Sequence, residues 1–129
     1  MSVFIVEYGY GPQEHLVASA EEFDRVWWQA DAEARSHGVG YWVIVYTSAE
    51  LAGPTIAIGA GRDYSWLRTD HGDAAGELDP GDATLWAYGN QSGSIPPGRG
   101  IPNENARRAV HHFIETDGTL PKGITWIGG

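Results

Sequence analysis

The sequence predicts an α+β fold: a mostly antiparallel sheet of about five to six strands with two packed helices, in a single domain over residues 1–129. Two observations predict this class. Two segments carry apolar residues at helical spacing, whereas about six short segments are rich in β-branched and aromatic residues. A parallel sheet needs a crossover helix for nearly every strand, so two helices favour antiparallel pairing. A chain of 129 residues that is 42% hydrophobic is long enough to bury one core.

The first third of the chain is typical of a strand followed by a helix. Residues 3–8 are apolar and β-rich and end at a Gly-Tyr-Gly-Pro turn. Ser19 stands three residues before Glu22, which is the spacing of a capping box at a helix start. Gly38 supplies a residue that tolerates positive φ at a helix end. We therefore predict a helix over residues 20–36.

The middle of the chain predicts several strands. Residues 41–46 are apolar at every position, which indicates a central strand covered on both faces. Further strands are predicted over residues 55–61, 64–68 and 84–88. Residues 92–100 contain two prolines and three glycines, so we expect them to be irregular.

The C-terminal part predicts a second helix and a last strand. Pro102 is compatible with a first helical turn, and the Asn103 side chain is expected to cap the helix. Apolar residues then recur at helical spacing over residues 106–114. Gly118 ends the helix, and residues 124–127 form the last strand.

The charge balance and the absence of cysteine exclude several function classes. Eight basic and seventeen acidic residues give a net charge of −9, which repels phosphate backbones and anionic lipid heads and attracts cationic surfaces. We therefore expect no direct nucleic-acid partner and no membrane partner. Without cysteine the chain offers neither a disulfide nor a thiolate zinc site. The N-terminal residues match neither a signal peptide nor a membrane span, which favours a cytoplasmic protein.

Histidines are the candidate metal-binding or catalytic residues. His111 and Glu115 lie four residues apart on one helical face beside His112, but such a pair is more often a solvated face than a metal site. His71 lies in an acidic, glycine-containing stretch that does not match a calcium loop. No nucleophile elbow or phosphate-binding loop is present. We expect no catalytic residues, no metal and no cofactor, and a hydrolase using these histidines is the least favoured alternative.

The strongest charge feature is the segment from residue 69 to residue 82, which has no lysine or arginine. Its five carboxylates are Asp70, Asp73, Glu77, Asp79 and Asp82. A solvated acidic loop is one interpretation; the other is a negative surface that steers a cationic partner and pairs with its arginines. On the second interpretation, the predicted partner-binding residues are these five together with the neighbouring Asp63, Tyr64 and Trp66.

The six tryptophans leave a further alternative open. Four of them lie on predicted core faces, namely Trp27, Trp42, Trp86 and Trp126. Trp28 and Trp66 are harder to place and are candidate interface anchors, because a desolvated tryptophan often dominates binding energy. A ligand-binding module that stacks a sugar or a nucleobase on exposed aromatics is therefore the alternative function.

A series of short motifs from residue 43 onward carries a family resemblance. The series consists of Val43-Ile44-Val45-Tyr46, the stretch from Ile58 to Leu67, Tyr88-Gly89, Ile101-Pro102, Ala106 to Val110, Phe113 to Thr116, Pro121 and Trp126. In order and spacing it resembles the immunity protein one family of bacterial polymorphic toxin systems. The link at residues 117–120 is slightly longer than is usual in that family.

The resemblance implies a compact α+β protein that is encoded beside a toxin and shields the producing cell by binding the toxin's catalytic domain. Members are often paired with toxins of the cytidine-deaminase-like fold, some of which act on DNA. Such a toxin needs a positive groove for its substrate, for which an acidic protein can compete. The resemblance implies no catalytic residues and no cofactor, and the expected species is a monomer or a heterodimer with the toxin.

Overall fold

The computed structural model describes residues 3–8, 13–47, 54–69, 71–76, 84–87, 91–94 and 99–128. Within these ranges the chain forms two helices and nine strands. In chain order they are β1 (Phe4–Tyr8), β2 (Gln13–Val17), α1 (Ala20–His37), β3 (Gly40–Thr47), β4 (Thr55–Ala60), β5 (Leu67–Thr69), β6 (Gly72–Ala74), β7 (Thr84–Ala87), β8 (Gln91–Ser94), α2 (Asn103–Glu115) and β9 (Trp126–Ile127).

The strands form one sheet in the order β2-β1-β3-β4-β5-β6-β9. Each neighbouring pair along this path is antiparallel. β7 joins the N-terminal end of β3 in parallel, through Gly40 and Tyr41, and pairs with β8 on its other side. The predicted α+β class with a mostly antiparallel sheet and two helices is confirmed.

α1 begins and ends at the residues that the sequence indicated. The Glu22 backbone N–H donates to Ser19 Oγ at 3.2 Å, which satisfies one of the four N–H groups that a helix start leaves without an intrahelical partner. Gly38 ends the helix with φ of 69°, and its N–H donates to the carbonyls of Ala34 and Arg35. The predicted range of 20–36 differs from the observed helix by one residue.

α2 begins differently from the prediction. Pro102 is the N-cap residue, and no side chain caps the helix. The Asn103 side chain was expected to cap the helix, but its Nδ2 donates to the Arg62 carbonyl at 2.8 Å. Arg62 is distant in the sequence, so the residues around Asn103 give no sign of this contact. At the other end the Gly118 N–H donates to the Phe113 carbonyl at 2.7 Å, which confirms the predicted stop.

Both helices pack on the same face of the sheet and enclose the main core. Alternate residues of the central strands point into it, as in Tyr41, Val43 and Val45 of β3. The α2 ring of Phe113 packs against Phe4 of β1 with centroids 5.6 Å apart. On the other face Trp42 packs against Trp66, and Ile44, Ala57 and Tyr64 pack around them. No helix in the described ranges has both the length and the apolar character of a membrane span.

Three short strands lie outside the predicted elements. Residues 92–100 were expected to be irregular, but Gln91–Ser94 pairs with β7, because backbone pairing needs no apolar pattern when a partner strand is adjacent. β2 and β6 also pair in segments assigned to no element. The strand predicted over residues 64–68 is shorter, at 67–69, and Ser65 instead forms an isolated bridge with Ile101.

Candidate partner-binding site

The predicted partner-binding residues of the 61–66 segment lie in a turn between β4 and β5. The Asp63 side chain is 95% exposed. Tyr64 is half-buried and packs against the Trp42–Trp66 cluster. Trp66 itself is fully buried, with its ring centroid 4.3 Å from that of Trp42. The segment therefore presents Asp63 and part of Tyr64 at the surface, whereas Trp66 supports them from below.

Two charged residues of α1 fix this turn. Asp31 is buried, and its carboxylate accepts from the Gly61 N–H at 2.7 Å and from Arg35 Nε at 2.9 Å. The Arg35 guanidinium also donates to Asp63 Oδ1 at 3.2 Å and to the Arg62 carbonyl at 2.8 Å. The hydrogen bond that Arg35 donates to Asp31 is the main cause that raises the pKa of Arg35 above its ordinary value. Asp31 and Arg35 together thus hold three consecutive residues of the turn to the helix, Gly61 through the carboxylate and Arg62 and Asp63 through the guanidinium.

Other parts of the fold hold the turn from its remaining sides. Trp27 Nε1 and Ser65 Oγ both donate to the Gly59 carbonyl, at 3.0 and 2.9 Å. Ser65 exchanges two backbone hydrogen bonds of 2.8 Å with Ile101. Gly61 has a φ of 94°, and a Cβ there would lie 2.6 Å from the Val39 carbonyl oxygen, so glycine is required. The anchored segment, residues 59–65, is therefore fixed before any partner arrives.

Asp73 is the member of the predicted acidic loop whose side chain the structure describes. It lies in β6, is largely buried, and pairs with Arg68 Nε at 2.7 Å and Arg99 Nε at 3.7 Å. Its charge is therefore already compensated inside the chain. The remaining predicted loop carboxylates, Asp70, Glu77, Asp79 and Asp82, lie outside the described residues.

Of the tryptophans, Trp28 is the exposed one that the sequence singled out. Its side chain is 53% exposed on α1. The Arg107 guanidinium lies 4.9 Å from the Trp28 centroid and 5.1 Å from that of Trp27, so it stacks on both rings. Trp27 and Trp42 are buried and Trp126 is half-buried, as predicted, and the Trp86 side chain lies outside the described residues.

The histidines occupy separate positions. His111 Nε2 lies 2.6 Å from Asp24 Oδ1 of α1, so this residue joins the two helices. His71 is exposed, and its backbone N–H donates to Thr69 Oγ1 at 3.0 Å. Among the residues that the structure describes, no three histidine or carboxylate side chains are grouped as metal ligands.

Internal ion pairs use much of the positive charge of the chain. Within the described part of the chain, five of its eight basic residues pair with carboxylates, namely Arg25, Arg35, Arg68, Arg99 and Arg107. Because the chain has seventeen acidic residues, the surplus left after these pairs is negative. The electrostatic character that a partner meets is therefore acidic.

Sequence reasoning missed Asp31, Arg35 and Asn103, which position Asp63. Asp31 and Arg35 are four residues apart, and residues at this spacing are neighbours on a helix surface, so the ion pair between them was predictable. The contact with residues 61–63 spans about thirty positions and has no local signal.

The comparisons with known proteins identify a family. No curated protein and no solved structure gives a significant match to the chain. The family model described as "Immunity protein Imm1" matches residues 11–127, which includes α1, α2 and the anchored segment. The protein therefore belongs to the Imm1 family of immunity proteins.

Proposed function

We propose that this protein neutralises a toxin with a cytidine-deaminase-like catalytic domain by occupying the basic groove through which that domain binds nucleic acid. The observation that carries the proposal is the match to the Imm1 family over nearly the whole chain. An immunity protein acts by binding its toxin, so no bond is made or broken by the chain itself. The complex is a heterodimer that forms in the cytoplasm.

The charge distribution supports a basic partner. A groove that binds nucleic acid carries arginines and lysines, and an acidic surface competes with phosphates for them. Here internal ion pairs use most of the basic side chains, and Asp63 stays 95% exposed. We assign to the toxin the acidic loop residues Asp70, Glu77, Asp79 and Asp82, which follow Asp63 and Tyr64 in the sequence.

The anchored segment supports a preformed interface. Side chains that are already held lose less conformational entropy on binding, so more of the contact energy appears as affinity. Arg35 holds Asp63, and the Trp42–Trp66 cluster supports Tyr64. Trp66 therefore acts as a support beneath the interface, and Asp73 as an internal ion-pair partner of Arg68 and Arg99.

The alternative of a sugar- or nucleobase-binding module gains no support from the tryptophans. Stacking modules need several exposed rings in a row. Among the tryptophans whose side chains are described, Trp28 is exposed and Arg107 already stacks on it. One ring in this setting does not form a row.

The test is the association rate with the toxin domain encoded in the neighbouring reading frame. Asp70, Glu77, Asp79 and Asp82 are changed to their amides, while Asp73 is kept because it is paired internally. The control changes four exposed carboxylates elsewhere to amides, namely Glu21, Glu104, Glu115 and Asp117. Both sets raise the net charge by four.

We expect the loop variant to associate about tenfold or more slowly at low salt, and the control by clearly less, because steering depends on where the charges lie. Equal rates for the two variants would show that the loop is not the interface. A toxin domain that neither binds nor is inhibited by the unchanged protein would contradict the proposed function itself.

A further inference from the structure

The β2 strand forms a regular, open edge of the sheet. Within the described residues it pairs with β1 alone, in unbroken register from Val17 opposite Phe4 to Gln13 opposite Tyr8. Natural edge strands are usually protected by lysines, prolines, bulges or a covering element. β2 has the sequence Gln-Glu-His-Leu-Val, which contains neither lysine nor proline, and its pairing shows no bulge. Its outward backbone N–H and C=O groups are thus a template for another strand.

An open groove of about 540 Å³ follows this edge. β2 forms one wall, and Glu22, Arg25, Val26 and Gln29 of α1 form the other. Leu16, also in β2, is 67% exposed and is the most exposed large apolar side chain among the described residues. The edge therefore combines free backbone groups with an apolar side chain, which are the two features that strand addition uses.

The charges beside the edge are arranged unfavourably in the free protein. Glu14 of β2 lies directly opposite Glu7 of β1, so two acidic residues share one cross-strand position on the same face. Like charges in this arrangement destabilise a strand pair. Glu7 is buried and accepts a hydrogen bond from Tyr46 Oη at 2.5 Å, whereas Glu14 is exposed. A cation on a strand added next to Glu14 would relieve the repulsion.

We propose that β2 binds an extended segment of the cognate toxin as an added strand, with a lysine or arginine beside Glu14 and an apolar residue beside Leu16. The inference rests on the proposed function and names a second contact surface for the same partner. A second copy of the chain fits less well, because an antiparallel copy of β2 would bring a second Glu14 to an edge that is already acidic.

The first test compares two charge reversals. Glu14→Lys places a lysine on the edge, and Glu115→Lys makes the same change of charge at the exposed end of α2. We expect Glu14→Lys to weaken toxin binding by about tenfold or more and Glu115→Lys by less than about threefold, because only the first opposes the added cation. Thermal unfolding of both variants shows that each is folded.

The second test is amide hydrogen exchange of residues 13–17 in the free protein and in the complex. Strand addition protects the outward amides, so we expect slower exchange at alternate residues of β2 on toxin binding. Unchanged exchange, together with equal affinities of the two lysine variants, would overturn the inference while leaving toxin inhibition intact. Protection of β2 in a dimer of the free protein would assign the edge to a second copy and contradict the proposal.

Discussion

The anchored segment and the β2 edge differ in how many hydrogen bonds the rest of the chain makes to their backbone. At residues 59–65, side chains from α1, the start of α2 and the Ile101 bridge hold the backbone from several sides. At β2, one neighbouring strand accounts for the pairing, and Leu16 is exposed. The chain's own residues complete the first region, whereas among the described residues the outer backbone groups of β2 have no strand partner.

The two regions are suited to binding in different ways. In the anchored segment, the fold fixes Asp63 in advance, so binding there requires little ordering. At β2, the outer backbone groups have no strand partner among the described residues, so the proposed toxin strand would add hydrogen bonds there. Substitutions of the side chains that anchor the first region should therefore lower stability, whereas substitutions in β2 should change affinity.

The largest expected effect is that of Trp27→Ala. Trp27 is fully buried and its Nε1 donates to the Gly59 carbonyl, so its removal leaves a cavity and takes away one of the two side-chain donors to that carbonyl. We expect a loss of about 3–5 kcal/mol in the free energy of unfolding, measured with urea. Trp28→Ala is the matched control, for which we expect about 1 kcal/mol or less, since that ring is half-exposed. Equal losses would show that the Trp27 contacts do not anchor the segment.

Asp31→Ala should have the next largest effect on stability. It leaves the buried Gly61 N–H without an acceptor and Arg35 without its closest carboxylate. We expect a loss of about 2–3 kcal/mol, measured by urea unfolding. Asp63→Ala removes a carboxylate from the exposed side of the same guanidinium, and we expect it to change stability by less than about 0.5 kcal/mol. A smaller loss of stability for Asp31→Ala than for Asp63→Ala would contradict the role of Asp31 in anchoring the turn.

Tyr8→Phe should have the smallest effect at neutral pH and a larger one at high pH. Burial, and then the nearby Glu33 carboxylate, raise the pKa of Tyr8 above its ordinary value of 10.0. Because the folded state has the higher pKa, the stability that Tyr8 contributes is complete below pH 10 and is lost as the pH rises through the folded pKa. Phenylalanine does not ionise, so the variant should lose less stability than the unchanged protein as the pH rises above 10.

The neutral-pH comparison uses a second tyrosine. Tyr8 Oη makes no hydrogen bond in the described structure, so Tyr8→Phe should leave stability unchanged or raise it by up to about 1 kcal/mol. Tyr46→Phe removes the hydrogen bond to Glu7 and should lower stability by about 1 kcal/mol. Urea unfolding at pH 7 measures both variants. A clear loss for Tyr8→Phe would show that its hydroxyl is satisfied.

Elements with a local pattern were predictable from the sequence. α1 has a capping box, an apolar stripe and a terminal glycine, and α2 has a stripe and a glycine stop. Residues 41–46 of β3 are apolar, and the strand lies in the middle of the sheet. In each case residues a few positions apart determine the element. The family that the sequence motifs resemble is also the family whose model matches the chain.

Features that depend on distant contacts were not predictable. β2 is mostly polar, and β6 lies in an acidic stretch and pairs with β9 about fifty residues away. Trp66 was a candidate surface anchor but is buried against Trp42, which requires knowing which strands are neighbours. Asp73 was assigned to a partner, whereas the chain supplies Arg68 and Arg99 itself. Tertiary arrangement, not residue type, decides these positions.

The central claim is that the protein acts by binding its toxin and blocking the groove through which the toxin binds nucleic acid. The most direct measurement is the rate at which the purified toxin domain deaminates a DNA oligonucleotide as this protein is added. We predict that activity falls linearly and ends near one equivalent, as expected for tight one-to-one binding. A toxin that remains fully active in the presence of excess folded protein would contradict the account.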